Sequence, residues 1–200
     1  MSGAARRDGW LQRTAARLLG SPIFWAIFLI VSFGWPIVRM TRTTLPPPLP
    51  VLGTVGDFEL VEQNGRSFGA GDVRGRVWVL SGIKTASPMA DKLATALGKI
   101  QHRARNLGPA FHMVTVGLDA EVDSRENLLE FTGHHRVSPR MWSFLSGDSA
   151  PLYEAITQGG PLSVALVDQK MRVRGRYDLS DPGAVDLVLY HAGLLVNRGD

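Results

Sequence analysis

The 200-residue sequence contains no cysteine. That one absence removes disulfide bridges, thiolate catalysis, Cys-ligated zinc, iron–sulfur clusters and thiolate-bound copper together. It leaves the compartment open, because an extracytoplasmic domain of this size folds without bridges. Charge is also sparse: charged residues make up 20% of the chain, for a formal net charge of +4. Four of the 22 basic residues, Arg6, Arg7, Arg13 and Arg17, fall in the first 17 positions, and no lysine or arginine run follows. This reads as a charged membrane flank plus a dispersed basic surface, not as a nucleic-acid footprint. A glycine-rich phosphate loop, a G-x-S-x-G elbow and an HExxH pair are all missing, and Ser81, Thr85 and Ser87 have no paired base that sequence can identify. With 22 Gly, 12 Pro and 44% hydrophobic residues, the chain is neither collagen-like nor disordered and can pack a core. Its length suits one domain plus an attachment segment.

The attachment segment is the charge-free stretch from Pro22 to Val38, rich in Ile, Phe, Val and Trp. Its length meets the lower limit for a spanning helix. Pro22 suits a first helical turn, Trp25 and Trp35 stand near opposite ends, where indoles favour the headgroup boundary, and Pro36 is expected to help end the helix. Arg39-Met-Thr-Arg42 follows where a cleaved signal peptide would carry small residues, so the segment reads as an uncleaved anchor. Arg6-Arg7 lacks the usual twin-arginine continuation and reads as topology charge. Four arginines before the span against Arg39 and Arg42 after it place the N-terminus in the cytoplasm and the remainder in a bacterial periplasm. Trp10, Leu11, Thr14, Ala15, Leu18 and Leu19 form one stripe, which suits a short helix on the inner headgroups. The domain plan is a basic N-terminus at 1–21, the anchor at 22–39, a proline-rich linker at 40–50 and a folded domain at 51–200.

Within that domain, Phe58 to Gln63 alternates apolar and polar residues, and Asn64-Gly65 supplies a tight turn before Ser67-Phe68, predicting a hairpin. Val77–Leu80 is a continuous apolar run, as a strand buried on both faces requires. Helical spacing over 87–105 follows, with Pro88 in the opening turn. A strand at 111–118 leads to a helix at 124–134, capped by Ser124 and buried through Leu128, Leu129 and Phe131. Strand, helix, strand, strand and helix then follow at 142–145, 151–157, 162–167, 171–177 and 181–196, with Asp181-Pro182 as the last helix start. The alternation predicts an α/β domain, a mixed sheet between helices with antiparallel strands from a final hairpin.

Four strings carry a family likeness: Phe58-Glu-Leu-Val-Glu-Gln-Asn-Gly65, Val73-Arg-Gly-Arg-Val-Trp-Val-Leu80 into Gly82, Val116-Gly-Leu-Asp119 through Asp123-Ser-Arg-Glu126, and Trp142-Ser-Phe-Leu-Ser-Gly147. In order and spacing, from Thr54 to Leu195, the chain resembles the Sco (SenC/PrrC) family of membrane-anchored, thioredoxin-fold proteins that serve copper delivery to cytochrome c oxidase. The resemblance implies a Cys-Pro-x-x-Cys pair after the first buried strand and a distant His, together holding one copper ion. Here the first region reads Ala86-Ser-Pro-Met-Ala90 and the His region reads Gly159-Gly160-Pro161. Methyl groups and glycine bind no metal, so catalytic, cofactor-binding and metal-ligating residues of the family type are expected to be none.

Three functions remain. A degenerate, non-enzymatic member would act as an assembly or scaffold factor, meeting a respiratory oxidase subunit or assembly factor through residues 83–89. A copper-handling protein would use Met89, Met113 and Met141 with His112, His134 and His135, although core methionines and a histidine pair at a helix end serve packing and the helix dipole equally well. A thioredoxin-fold redox enzyme would need a thiol. Asp119 and Asp123, after the second buried strand, read as turn and cap chemistry.

Overall fold

The computed structural model describes residues 20–41 and 46–199. The basic flank, the stripe at 10–19 and residues 42–45 of the linker lie outside the described residues. The chain divides into two compact units between Pro48 and Leu49.

In the first unit, helix α1 (Pro22–Leu29) runs into a π-turn (Ile30–Gly34) and on into α2 (Trp35–Thr41). The window Pro22–Arg39, with mean hydropathy 1.6, is long and apolar enough to cross a membrane by length and composition. Pro36 does not end the helix as expected from the sequence. A proline ring in helical geometry presses on the carbonyl four residues back, here that of Ser32, and the widened turn holding Ser32 accommodates it.

The second unit is an eight-stranded mixed sheet: β1 (Gly53–Thr54), β2 (Glu59–Glu62), β3 (Ser67–Gly69), β4 (Val77–Ile83), β5 (Phe111–Gly117), β6 (Trp142–Ser146), β7 (Ser163–Val167) and β8 (Arg172–Asp178). Their spatial order is β1-β8-β7-β4-β5-β6-β2-β3. β4, β5 and β6 are parallel neighbours; every other pairing is antiparallel. The helices are α3 (Ala70–Val73), α4 (Ala90–Arg103), α5 (Arg125–His134), α6 (Ala150–Thr157) and α7 (Ala184–Arg198).

The continuous apolar run of β4 is explained by two cores. Val77, Val79 and Ile83 meet Leu93, Leu97 and Ile100 of α4 and Val188, Ala192 and Leu195 of α7. Trp78 and Leu80 project to the other face, with Leu152 and Ile156 of α6. Alternate side chains of a strand point to opposite faces, so a strand covered on both sides must be apolar throughout.

Several local expectations are corrected. The first hairpin turns through three residues, not two: Gly65 N–H donates to the Glu62 carbonyl (2.7 Å), Glu62 N–H to that of Arg66 (2.8 Å), and Gly65 takes φ 87°. Helix α4 begins at Ala90 and α7 at Ala184, each three residues late, because Pro88 and Pro182 sit in turns that precede the helices. Leu129 is exposed and Thr132 buried, since the helix α5 faces the core through 128 and 132, one turn apart. The two-residue strand β1, pairing with β8, escaped the sequence reading; it is too short to show a period.

The domain's edge is fixed by a buried ion pair. The carboxylate of Asp168, fully buried, accepts from Lys170 N–H (3.0 Å), Arg172 N–H (2.9 Å), Arg172 Nε (2.7 Å) and Arg174 Nη1 (2.9 Å). Arg174 also donates from Nε and Nη2 to the Leu49 carbonyl (3.1 and 2.6 Å), fastening the end of the proline spacer to the sheet. Burial alone would push the Asp168 carboxyl up, but these hydrogen bonds outweigh it and hold it below the usual carboxylate range. The group therefore contributes stability above its ordinary pKa, and that contribution is lost as acid titrates the folded state. Arg174→Met strands the buried carboxylate and is expected to cost about 3–5 kcal/mol, read as a lower urea midpoint of the full chain in detergent; an unchanged midpoint contradicts the clamp.

Candidate functional site

The two segments that the sequence singles out meet because β4 and β7 run in opposite directions. Ser81 pairs with Val164, so the C-terminal end of β4, leading into 84–89, lies beside the N-terminal end of β7, which follows 158–162. Between these loops is a cavity of about 260 Å³ lined by Lys84, Met89, Ala90, Leu118, Ile156, Gly160 and neighbouring residues. It lies at the C-terminal ends of the parallel strands β4 and β5, where α/β folds gather their ligands.

The loop after β4 is held from below by Asp123. This buried carboxylate accepts from Thr85 N–H (2.8 Å), Thr85 Oγ1, Leu118 N–H (3.0 Å) and Asp119 N–H (2.9 Å), joining the loops that follow β4 and β5. Asp119 in turn accepts from Glu121 N–H (3.2 Å) and Val122 N–H (3.4 Å). Both residues thus have the turn and cap roles expected from the sequence. Ser87 N–H donates to the Lys84 carbonyl (2.9 Å) and Ala90 N–H to that of Ser87 (3.0 Å), which closes the turn bearing Pro88.

Other candidates fall into place individually. Ile83 is 2% exposed and belongs to the core, contrary to its expected place on a contact face; the exposed residues of 83–89 are Lys84, Ala86 and Pro88. Met89 precedes α4 and lines the cavity, not the buried stripe of the helix. Ser81 is buried and hydrogen-bonded to Thr115 (2.8 Å), which accepts from Trp142 Nε1 (2.8 Å). Ser87 Oγ accepts from Met89 N–H (3.2 Å). Met113 is buried in β5, Met141 packs against the core, His134 is exposed, and His135 Nε2 lies 3.1 Å from Asp91. Among the residues lining the cavity, Met89 is the sole soft donor and no imidazole accompanies it.

A copper ion does not fit the groups present at the family's ligand positions. Ala86 is exposed, Ala90 is buried beneath the loop, and neither has a donor atom. The two glycines of the 159–161 segment differ in the room they leave for a side chain. A Cβ at Gly160 would meet nothing nearer than Asp178 Oδ2 at 3.7 Å, whereas one at Gly159 would lie 2.3 Å from Ser163 Oγ.

With the geometry in hand, the chain can be set beside known proteins. No protein-family model matches it, and no curated protein sequence does. Among solved structures, it superposes on a SCO1/SenC family lipoprotein from Bacillus anthracis at TM-score 0.65 and 22% identity, covering 74% of this chain and 99% of that one. The copper-bound ScoI of Bradyrhizobium japonicum matches at TM-score 0.57 and 15% identity, covering 71% of this chain and 99% of that one. The domain has the thioredoxin-like fold of the Sco structures. A putative protein disulfide isomerase from Bacteroides thetaiotaomicron also matches, at TM-score 0.60 and 14% identity over 76% of this chain and 96% of that one, so the frame itself hosts more than one chemistry.

One polar cluster was missed by the sequence reading, which took His112 only as a possible soft-metal ligand. His112 is buried at the start of β5; its Nε2 lies 3.0 Å from Ser143 Oγ, and Ser143 donates to Glu62 Oε1 (2.6 Å). Phe68 stacks on the ring. These residues come from four strands, so no local spacing announces them. Burial, then the Arg76 guanidinium, pull the His112 imidazole down to about 4, with Asp72 offsetting part of the effect.

Two predictions follow from these groups. Asp123→Ala leaves four donors without their acceptor and is expected to cost about 3 kcal/mol while raising amide exchange over 84–90; protection unchanged there would show that the loop is held otherwise. For His112, the unfolded imidazole takes up a proton as pH falls below its ordinary value and the folded one does not, so stability drops on acidification. Between pH 7 and pH 5 its share is about 2 kcal/mol, and His112→Gln should flatten that much of the pH dependence of the urea midpoint.

Proposed function

We propose that this protein is a divergent Sco-family member that serves respiratory cytochrome c oxidase biogenesis as a membrane-anchored, non-catalytic assembly or scaffold factor, with its folded domain in the periplasm. The reading is supported by the Sco-like fold, the apolar N-terminal helix and, above all, the cavity between 84–89 and 159–161, kept open while alanine and glycine stand at the ligand positions. A thiol-based redox role has no thiol to use. What the cavity offers is a largely apolar recess with Lys84 in its lining, suited to a protein side chain presented by an oxidase subunit or another assembly factor.

In this scheme the anchor holds the domain near its membrane partner, and the Asp123 clamp keeps the recess preformed, which lowers the ordering cost of docking. The second reading, copper held by Met89 and distant histidines, has a single lining donor in its favour.

The test is a titration of the full chain in detergent with Cu(I) and Cu(II) against a competing chelator, beside the triple variant Ala86→Cys, Ala90→Cys, Gly160→His. The expected result is no binding by the natural chain and recovered binding by the variant, together with photo-crosslinking from position 86 to an oxidase subunit or assembly factor in native membranes. Tight stoichiometric copper binding by the natural chain, abolished in Met89→Leu, would overturn the scaffold reading.

A further inference from the structure

A second cavity, of about 280 Å³, lies at the N-terminal end of β5, the opposite end of the parallel strands from the Sco-like recess. Its lining differs in kind: apart from Phe68 and Pro139, every residue in it carries a polar side chain, and three are arginines, Arg66, Arg76 and Arg140. They come from the first hairpin, the turn after α3 and the segment before β6, so folding alone brings them together.

Arg66 forms an ion pair with Asp72. The second carboxylate in the lining, Glu62, is 5% exposed and accepts the Ser143 hydroxyl proton. Among the described residues, the guanidinium groups of Arg76 and Arg140 have neither a carboxylate nor a hydrogen-bond partner. Three cations against two carboxylates leave a surplus positive charge in a concave, half-enclosed site, where field lines concentrate and a bound anion is less screened than on a flat surface. That field reaches the interior, because Arg76 and Arg66 both push the buried His112 imidazole toward its neutral form. Arg76 and Arg140 both line this recess, and a guanidinium offers paired N–H donors of the kind that bind the oxygens of a tetrahedral oxyanion.

We infer that the recess formed by Arg76, Arg140, Arg66 and Asn64 is an anion site that takes a phosphate group. It is independent of the docking recess and of the proposed assembly role. His112 is the site's built-in reporter. Burial is the main cause that keeps its imidazole neutral and the Arg76 guanidinium adds to it, so an anion seated on Arg76 offsets the arginine's part and raises the pKa in part. The charged and titratable groups around His112 are Arg66, Arg76, Arg140, Asp72 and Glu62, and of these only the unpaired arginines are free to change partner.

The experiment is calorimetric titration of the full chain in detergent with inorganic phosphate at fixed ionic strength, followed in parallel by the His112 ring signals in long-range proton–nitrogen spectra. Saturable binding is expected, with the His112 ring titrating at higher pH when phosphate is bound. Arg76→Gln and Arg140→Gln should each weaken binding by about tenfold, and Lys92→Gln, an exposed charge on α4, should leave it unchanged. Phosphatidic acid supplied in nanodiscs identifies the source of the group: displacement of inorganic phosphate points to a lipid headgroup, and its absence to a soluble phosphate compound. No saturation, an equal response to chloride, or binding that survives both arginine substitutions would overturn the inference.

Discussion

The pairing of β4 with β7 in opposite directions is the constraint on which the rest of the molecule depends. Because β4 and β5 run parallel while β7 runs against them, the loop leaving β4 and the loop entering β7 meet at one end of the central strands. Segments more than seventy residues apart in sequence become the two walls of one recess. Their pairing is secured by a strand that is apolar on both faces and covered by helices from either side.

Around this frame, polar groups act mainly as fasteners. Asp123 joins two loops, Asp168 and Arg174 join the end of the spacer to the sheet, and the Ser81–Thr115–Trp142 chain satisfies hydroxyl and indole groups within the core. Each is buried and hydrogen-bonded, as interior polar groups must be to avoid a desolvation penalty. Such supports fix the loops that line the recess.

The two recesses differ in what surrounds them. The one at the C-terminal ends of the strands is lined largely by small and apolar residues, with Lys84, Ser87 and Ser163 among them. The one at the other end is polar and cationic: Arg66 is paired with Asp72, while the guanidinium groups of Arg76 and Arg140 have no carboxylate partner among the described residues. One domain thus carries a largely apolar recess and a cationic one at opposite ends of the same parallel strands.

Much of this was legible in the linear chain. The charge-free run from Pro22, the proline spacer, the apolar run at 77–80 and the Ser124 cap are local patterns, and local patterns follow from propensity and periodicity, which act over a few neighbouring residues. The absence of cysteine, and of side-chain donor atoms at 86, 90 and throughout 159–161, was equally plain. Tertiary structure decided the rest: that Ile83 faces the core and not a partner, that Met89 lines a recess, that Leu129 points outward, and that Arg76, Arg140 and His112 share one pocket. Helix phase depends on which neighbour a helix packs against, and a pocket on which strands lie side by side. Neither is written in the spacing of residues along the chain, because both are set by contacts between segments far apart in it.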